Sequence, residues 1–214
     1  MKKGFYTVLL FVLIFISANY VYLNYSKWQH KVQPVNISGT VFPKPRNVPA
    51  FNFKDGAANN FDDTKLIKKW SVLFFGYTRC PDVCPTTLTA LNKMYKKLED
   101  LPRRKRPQVI FISIDSEHDV ADYPDRYSKN FNKHFIGLSG NAAQVEMLSK
   151  NLGVVSQKIP IGSIGSAEQE SYIFDHSSTL YIINPKGQVQ AILSAPHDPE
   201  QLARDYRAVI NKYS

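Results

Sequence analysis

The sequence predicts an α/β fold, a central sheet flanked by helices, preceded by a single N-terminal transmembrane helix. Three observations carry this. Two short apolar runs, SVLFFGY (71–77) and QVIFISID (108–115), are each followed by a helical stretch, the alternation that builds a sheet covered by helices. A third run at 178–184 turns through Pro185–Lys186–Gly187 into 188–193 and reads as a hairpin. Finally, no charged residue falls between Gly4 and Ser26, about the 20 uncharged residues that span a bilayer core.

The N-terminal helix comes first. Lys2 and Lys3 precede the apolar stretch, and Tyr20, Tyr22, Tyr25 and Trp28 cluster near its far end. Positive residues stay cytoplasmic and aromatic residues settle at the interface, so the rest of the chain is expected on the exported side. A cleaved signal peptide is the alternative. Its apolar core is usually about 7–15 residues before a small-residue cut site. Ser17–Ala18–Asn19 is a poor cut site, and no cysteine lies nearby for lipidation. An uncleaved anchor over 1–28 is therefore expected. Residues 29–50 are rich in proline and polar groups and read as a stalk. The remaining chain, 51–214, has the size of one domain with a normal core.

Within that domain the strand at 71–77 leads into a helix from Pro85, with Leu88, Leu91, Tyr95 and Leu98 at helical spacing. After the second strand, Ser116 or Asp119 can cap a helix running to about Phe131. Phe135 to Leu138 is a short strand. Asn141 caps the next helix, with Val145, Leu148 and Leu152 on one face and Gly153 ending it. Residues 158–171 hold two glycines and little periodicity and read as a mobile loop. The last helix, Pro199 to Tyr213, presents Leu202, Tyr206 and Val209 or Ile210.

The chemistry concentrates in TRCPDVCPTTL, residues 78–88. Cys80 and Cys84 are the only cysteines in the chain. They follow a buried strand at its carboxyl end, where open α/β sheets place their sites. This order is what a thioredoxin-like fold would give. A structural disulfide here would close only a short loop, worth about 2 kcal/mol against about 4.7 for a 100-residue loop. Two readings are stronger. One is dithiol–disulfide chemistry at a helix N-terminus, which favours the thiolate. The other is a soft metal, since thiolates select copper(I) or zinc. Structural zinc takes four protein ligands, whereas copper(I) accepts fewer, and one imidazole would complete a three-coordinate site.

Of the five histidines, His30 lies in the stalk and His197 in an Ala-Pro-His-Asp turn, where both read as solvated. His118 and His134 sit near helix edges, the ordinary place for a surface histidine. His176 stands directly before a strand, in YIFDHSSTLYIINPKG, with Asp175 beside it to orient the ring or merely to serve a turn.

FGYTRCPDVCPTTL, FISIDSEHD and FDHSSTLYIINPKG, in that order, resemble the SCO/SenC family of membrane-anchored copper chaperones, over roughly residues 48–212. The resemblance implies a thioredoxin-like fold, a single anchor in an inner membrane and copper bound by the two loop cysteines and the histidine. Those ligands would be Cys80, Cys84 and His176. It also implies cytochrome c oxidase subunit II as partner, at its dinuclear copper site. Asp82 lies inside the loop, where it can influence the site or cap the helix. Asp115 and Asp119 match the family's acidic stretch without a ligand role. The glycine-rich loop is expected to let His176 approach or leave.

Two function classes stay open on the same cysteines. A copper carrier needs His176, whereas a thiol–disulfide oxidoreductase acting on a partner's copper-site cysteines does not. A peroxide-reducing enzyme would need one strongly activated cysteine, and the proline after each thiol gives it less support. The formal net charge of +9 owes much to Pro102–Arg103–Arg104–Lys105–Arg106–Pro107. That run reads as a solvated loop, with an anionic membrane face or an acidic partner as the alternative, since nucleic acid does not suit an exported domain. No small-molecule substrate is expected.

Overall fold

The computed structural model describes residues 2–30, 36–160 and 172–213, with side chains of the first helix described at 4, 6 and 10–25. The chain divides into two compact units, one up to Val35 and one from Asn36. The first holds α1 (Lys2–His30), a 29-residue helix about 43 Å long at 1.5 Å per residue. Its side chains from Leu10 to Ile16 are 49–71% exposed. Among the described residues no helix is long and apolar enough to cross a membrane.

The second unit is built on a six-stranded mixed sheet. In chain order its strands are β1 (Gly39–Asn47), then, after a small hairpin β2 (Asn52–Lys54) and β3 (Asn60–Asp62), β4 (Ser71–Gly76), β5 (Gln108–Ser113) and β6 (Ile136–Leu138). A second hairpin, β7 (Ser156–Pro160) and β8 (Tyr172–His176), precedes β9 (Leu180–Ile183) and β10 (Gln188–Leu193). The sheet order is β1-β10-β9-β4-β5-β6. β4, β5 and β6 run parallel, while β9, β10 and β1 add antiparallel. All six residues of β4 are buried, as a central strand covered on both faces requires.

Four helices complete the unit: α2 (Val83–Lys97), α3 (Tyr123–Phe131), α4 (Ala142–Leu152) and α5 (Pro199–Tyr213). α3 packs on β5 and β6, α5 on β10, and α2 lies against both α3 and α5. The inward face of α2 is Thr87, Leu88, Leu91 and Met94, and that of α5 is Leu202, Tyr206, Val209 and Ile210, each at the three-to-four spacing of a helix stripe. α4 ends as its sequence predicts. Asn141 accepts from the Gln144 N–H at 2.9 Å, and Gly153 takes a left-handed backbone (φ 76°) that costs a glycine little.

Several expectations need correction. Residues 39–47, read as stalk, form edge strand β1 paired with β10; Pro43 and Pro45 are tolerated there because an edge strand leaves N–H groups unpaired. Cap residue Asp122, not Ser116 or Asp119, precedes α3, because the Asp119 carboxylate is engaged with Thr78 and Ser113. Of the expected mobile loop 158–171, residues 158–160 belong to β7, and 161–171 lie outside the described residues.

Candidate metal centre

β4 ends at Gly76, and the loop that follows carries Cys80 before turning into α2. Cys84 is the second residue of that helix. Its backbone N–H donates to Cys80 Sγ at 3.4 Å, so the loop curls around one thiol while the other hangs from the first turn. Cys84 is fully buried and Cys80 half-buried. Gly76 makes room for this. A Cβ there would lie 2.7 Å from Cys84 Sγ and 2.9 Å from the Phe111 ring, so any side chain would push the thiol away.

His176 arrives from elsewhere. It is the last residue of β8, and its Nε2 lies 3.3 Å from Cys84 Sγ. Cys80 Sγ, Cys84 Sγ and the His176 ring nitrogen all lie within 4.8 Å of one another. Metal bonds of about 2.0–2.3 Å would set three such donors about 3.5–4 Å apart, so a soft ion fits with small adjustments. The ring is oriented by Nδ1, which donates to the Ser177 carbonyl at 3.2 Å. That leaves Nε2 with its lone pair facing the thiols. Asp175, which the sequence left as either an orienting group or a plain turn residue, faces the other way and is exposed.

Strand alternation explains how β8 is held. Tyr172, Phe174 and His176 share its inward face, while Ile173 and Asp175 face out. β8 pairs only with β7, in a two-stranded sheet apart from the central one. Its attachment is therefore through side chains. Tyr172 Oη donates to Asp115 Oδ1 at 2.7 Å and touches His118 Nδ1. The Phe174 N–H donates to Tyr77 Oη at 3.3 Å. Tyr77 packs edge-on against the rings of Phe174 and His176, with centroids 5.2 and 5.8 Å away.

The same acidic pair fixes the cysteine loop. Asp115 and Asp119 are 2% and 1% exposed. Arg79, next to Cys80, bonds Asp115 Oδ2 at 2.9 Å. Asp119 accepts from the Thr78 N–H at 2.8 Å, from the Thr78 hydroxyl and from Ser113 Oγ at 2.6 Å. Burial opposes ionisation of Asp115, but hydrogen bonds from Tyr172, Arg79 and His118 outweigh it and hold the carboxyl below its ordinary value. The Tyr172–Asp115–Arg79 chain thus ties the histidine strand to the thiol loop. Tyr172→Phe keeps the ring and removes this bond, at an expected cost of about 1 kcal/mol. Hydrogen exchange at the β8 amides should speed up about fivefold; unchanged exchange would mean the bond is not what holds the strand.

The two thiols differ in kind. Cys80 is lowered to about 3, chiefly because the Cys84 thiol donates to it; burial opposes this, and His176 and the N–H groups of Cys84 and Asp82 add to it. The same bond pushes Cys84 up, since it must surrender the proton it donates, and burial pushes it further. The pair gives up its first proton easily and holds its second.

Of the residues expected from sequence, Cys80, Cys84 and His176 converge. Asp82 precedes α2 without a side-chain bond to its N–H groups. His197, read as solvated, is half-buried with Nε2 2.6 Å from the Ser178 carbonyl. His118 joins the Asp115–Tyr172 cluster, and His134 stacks on Tyr95. Tyr77, Arg79, Tyr172 and Phe174 were not foreseen. The alternation in YIFDH was the available signal.

A family model described as SCO1/SenC matches residues 42–211. The mouse mitochondrial SCO2 homolog is 33% identical over 139 residues, which are 65% of this chain and 52% of that protein, so the match spans about half of the mouse chain. The apo Sco1 protein of Thermus thermophilus is 35% identical with a TM-score of 0.65, covering 83% of this chain and 95% of that one. Arabidopsis thaliana ScoI, solved with copper bound, is 26% identical with a TM-score of 0.68, covering 77% and 98%.

Proposed function

The chain belongs to the SCO1/SenC family, and from that premise we propose that it is a membrane-anchored copper carrier. It holds one copper(I) between Cys80, Cys84 and His176, and delivers it to, or prepares, the dinuclear copper site of cytochrome c oxidase subunit II. The convergence of two thiols and one imidazole nitrogen within 4.8 Å carries the reading. Two soft thiolates and one imidazole suit copper(I), and the solved Arabidopsis relative has copper bound.

The arrangement supports release as well as capture. Both thiols belong to the loop and first turn that follow β4, while the histidine rides on a hairpin outside the central sheet. A partner's ligands can displace the neutral imidazole first and draw the ion off the thiolates. Oxidation of the two thiols to a disulfide removes both thiolates, so a chain carries either copper or the bridge.

The anchor is α1. Its sequence is uncharged from Gly4 to Ser26. Among its described side chains, Ser17, Asn19 and Asn24 donate to the Ile14, Phe15 and Tyr20 carbonyls at 2.9, 3.2 and 2.8 Å, internal bonds of the kind a bilayer core favours. Lys2 and Lys3 then set the second unit on the exported side of an inner membrane.

The decisive comparison is copper(I) affinity of the full chain in detergent, without oxygen, against a competing chelator. His176→Ala should weaken binding at least about tenfold (1.4 kcal/mol); equal affinity in both would sink the carrier reading. A second prediction concerns pH. Near neutrality Cys80 is a thiolate and Cys84 a thiol, yet copper takes both as thiolates. Loading should release about one proton per copper, and affinity should rise about tenfold per pH unit. Buffer-dependent calorimetry reads this directly, and release of two protons or none would contradict it.

One observation favours a second reading. Cys80 is half-exposed and ionised, as an attacking thiolate must be. It would open a partner's disulfide to a mixed disulfide, and Cys84 would resolve it. The partner's disulfide gains the two electrons that this pair loses in forming its own, together with the Cys84 proton and one proton from solvent. His176→Ala would leave that exchange largely intact.

A further inference from the structure

The basic run at 102–107 does not hang in solvent as a free loop. It folds into a short 3-10 turn, and its carbonyls are pinned. Tyr206 Oη donates to the Lys105 carbonyl at 2.8 Å, and the Arg106 guanidinium bonds the carbonyls of Leu101 (2.8 Å) and Glu99. The turn forms one wall of a cleft of about 500 Å3 at the amino ends of β4 and β5, the end of the sheet opposite Cys80.

The lining is cationic. Lys68, Lys69, Arg103, Arg104, Arg106 and His134 contribute to it, and no carboxylate does. Among the described residues, Lys68, Lys69, Arg103 and Arg104 form no ion pair, although seven lysines and arginines pair with carboxylates elsewhere. Lys68 also holds a left-handed backbone (φ 63°), fixed by its N–H bond to the Pro185 carbonyl at 2.8 Å. A non-glycine residue there costs about 1–3 kcal/mol and persists only where its surroundings enforce it. His134 is braced by stacking on Tyr95, with ring centroids 6.0 Å apart. Like charges are thus gathered on braced supports, and of the lining cations Arg106 feels the nearby Asp100 carboxylate.

We propose that this cleft binds a phosphate-bearing anion with two or more charged groups. Arginine forks match phosphate oxygens in pairs, and lysines add point charge. The volume lies in the range of single small ligands, about 300–1,000 Å3, and a protein partner would cover about 800 Å2 of surface instead. The ligand is either a soluble phosphate compound or a lipid headgroup. This inference is independent of the copper reading.

The test titrates the full chain, in zwitterionic detergent micelles at low salt, with inorganic pyrophosphate by calorimetry. One saturable site per chain is expected, weakening as salt rises. Arg103→Gln/Arg104→Gln, which alters two exposed side chains, should weaken it at least tenfold while the near-ultraviolet circular dichroism stays unchanged. Saturation equal in the variant, or none in either protein, would overturn the proposal. The titration is repeated in nanodiscs of neutral lipid with and without an anionic phospholipid. Loss of apparent affinity in the anionic discs identifies a headgroup as occupant, and equal affinity identifies a soluble phosphate.

Discussion

Cys84→Ser should abolish tight copper(I) binding by the full chain, with affinity falling by more than the roughly 10–100-fold typical of losing a residue behind a ligand. Serine is nearly the same size as cysteine and fills the same buried place against Gly76, so the fold is retained and the melting temperature moves little. The hydroxyl can still donate to Cys80, but it supplies no second thiolate for the ion. The loss should exceed that of His176→Ala, because an anionic donor is removed rather than a neutral one. Competition against a chelator of known strength measures both. Retention of copper within tenfold of wild type would mean that the ion, if held, sits elsewhere.

Asp119→Ala should produce the largest loss of stability. The carboxylate is 1% exposed and gathers three donors, the Thr78 N–H, the Thr78 hydroxyl and Ser113 Oγ. Removing it strands these donors in a dry site, and hydrogen bonds to a charged group are worth about 1.5–3 kcal/mol each. Allowing for water entering the gap, a loss of about 3 kcal/mol or more is expected, or about 6–12 °C in melting temperature for a domain of this size. Thr78 stands two residues before Cys80, so copper affinity should fall too. A variant that melts with wild type would show that the loop is held by other means.

Much of this was legible before any coordinates. SVLFFG and QVIFIS declare themselves as strands because a central parallel strand is apolar on every residue, a pattern strong enough to read alone. Asn141 and Gly153 mark the ends of α4 by local hydrogen bonding. Cys80 and Cys84 stand out by being the only thiols, and His176 by the motif around it. What stayed hidden depends on contacts distant in the chain. β1 looks like a stalk because its prolines and polar groups suit an edge strand, and only pairing with β10 makes it one. Asp119 could pass for a helix cap until the fold brings Thr78 and Ser113 to it. Tyr172 carries no motif and Phe174 only opens one, and their shared face matters only once Asp115 and Tyr77 stand opposite.

Cys84 and His176 touch across 92 residues of chain. A ribosome working at about 5–20 residues per second needs about 5–20 s to travel that far. Throughout that interval both cysteines exist and the histidine does not. β9 and β10, which complete the sheet beside β4, are also still to be made. The newborn thiol pair therefore meets the oxidants and reductants of its surroundings before it can meet a metal in a finished site. Each molecule begins life with a redox history, as a dithiol or as a disulfide, written before its fold closes. A chain that closes the bridge in that interval needs two electrons before its thiols can serve a metal, so on the proposed reading the supply of electrons, and not only of metal, sets how many chains can be loaded.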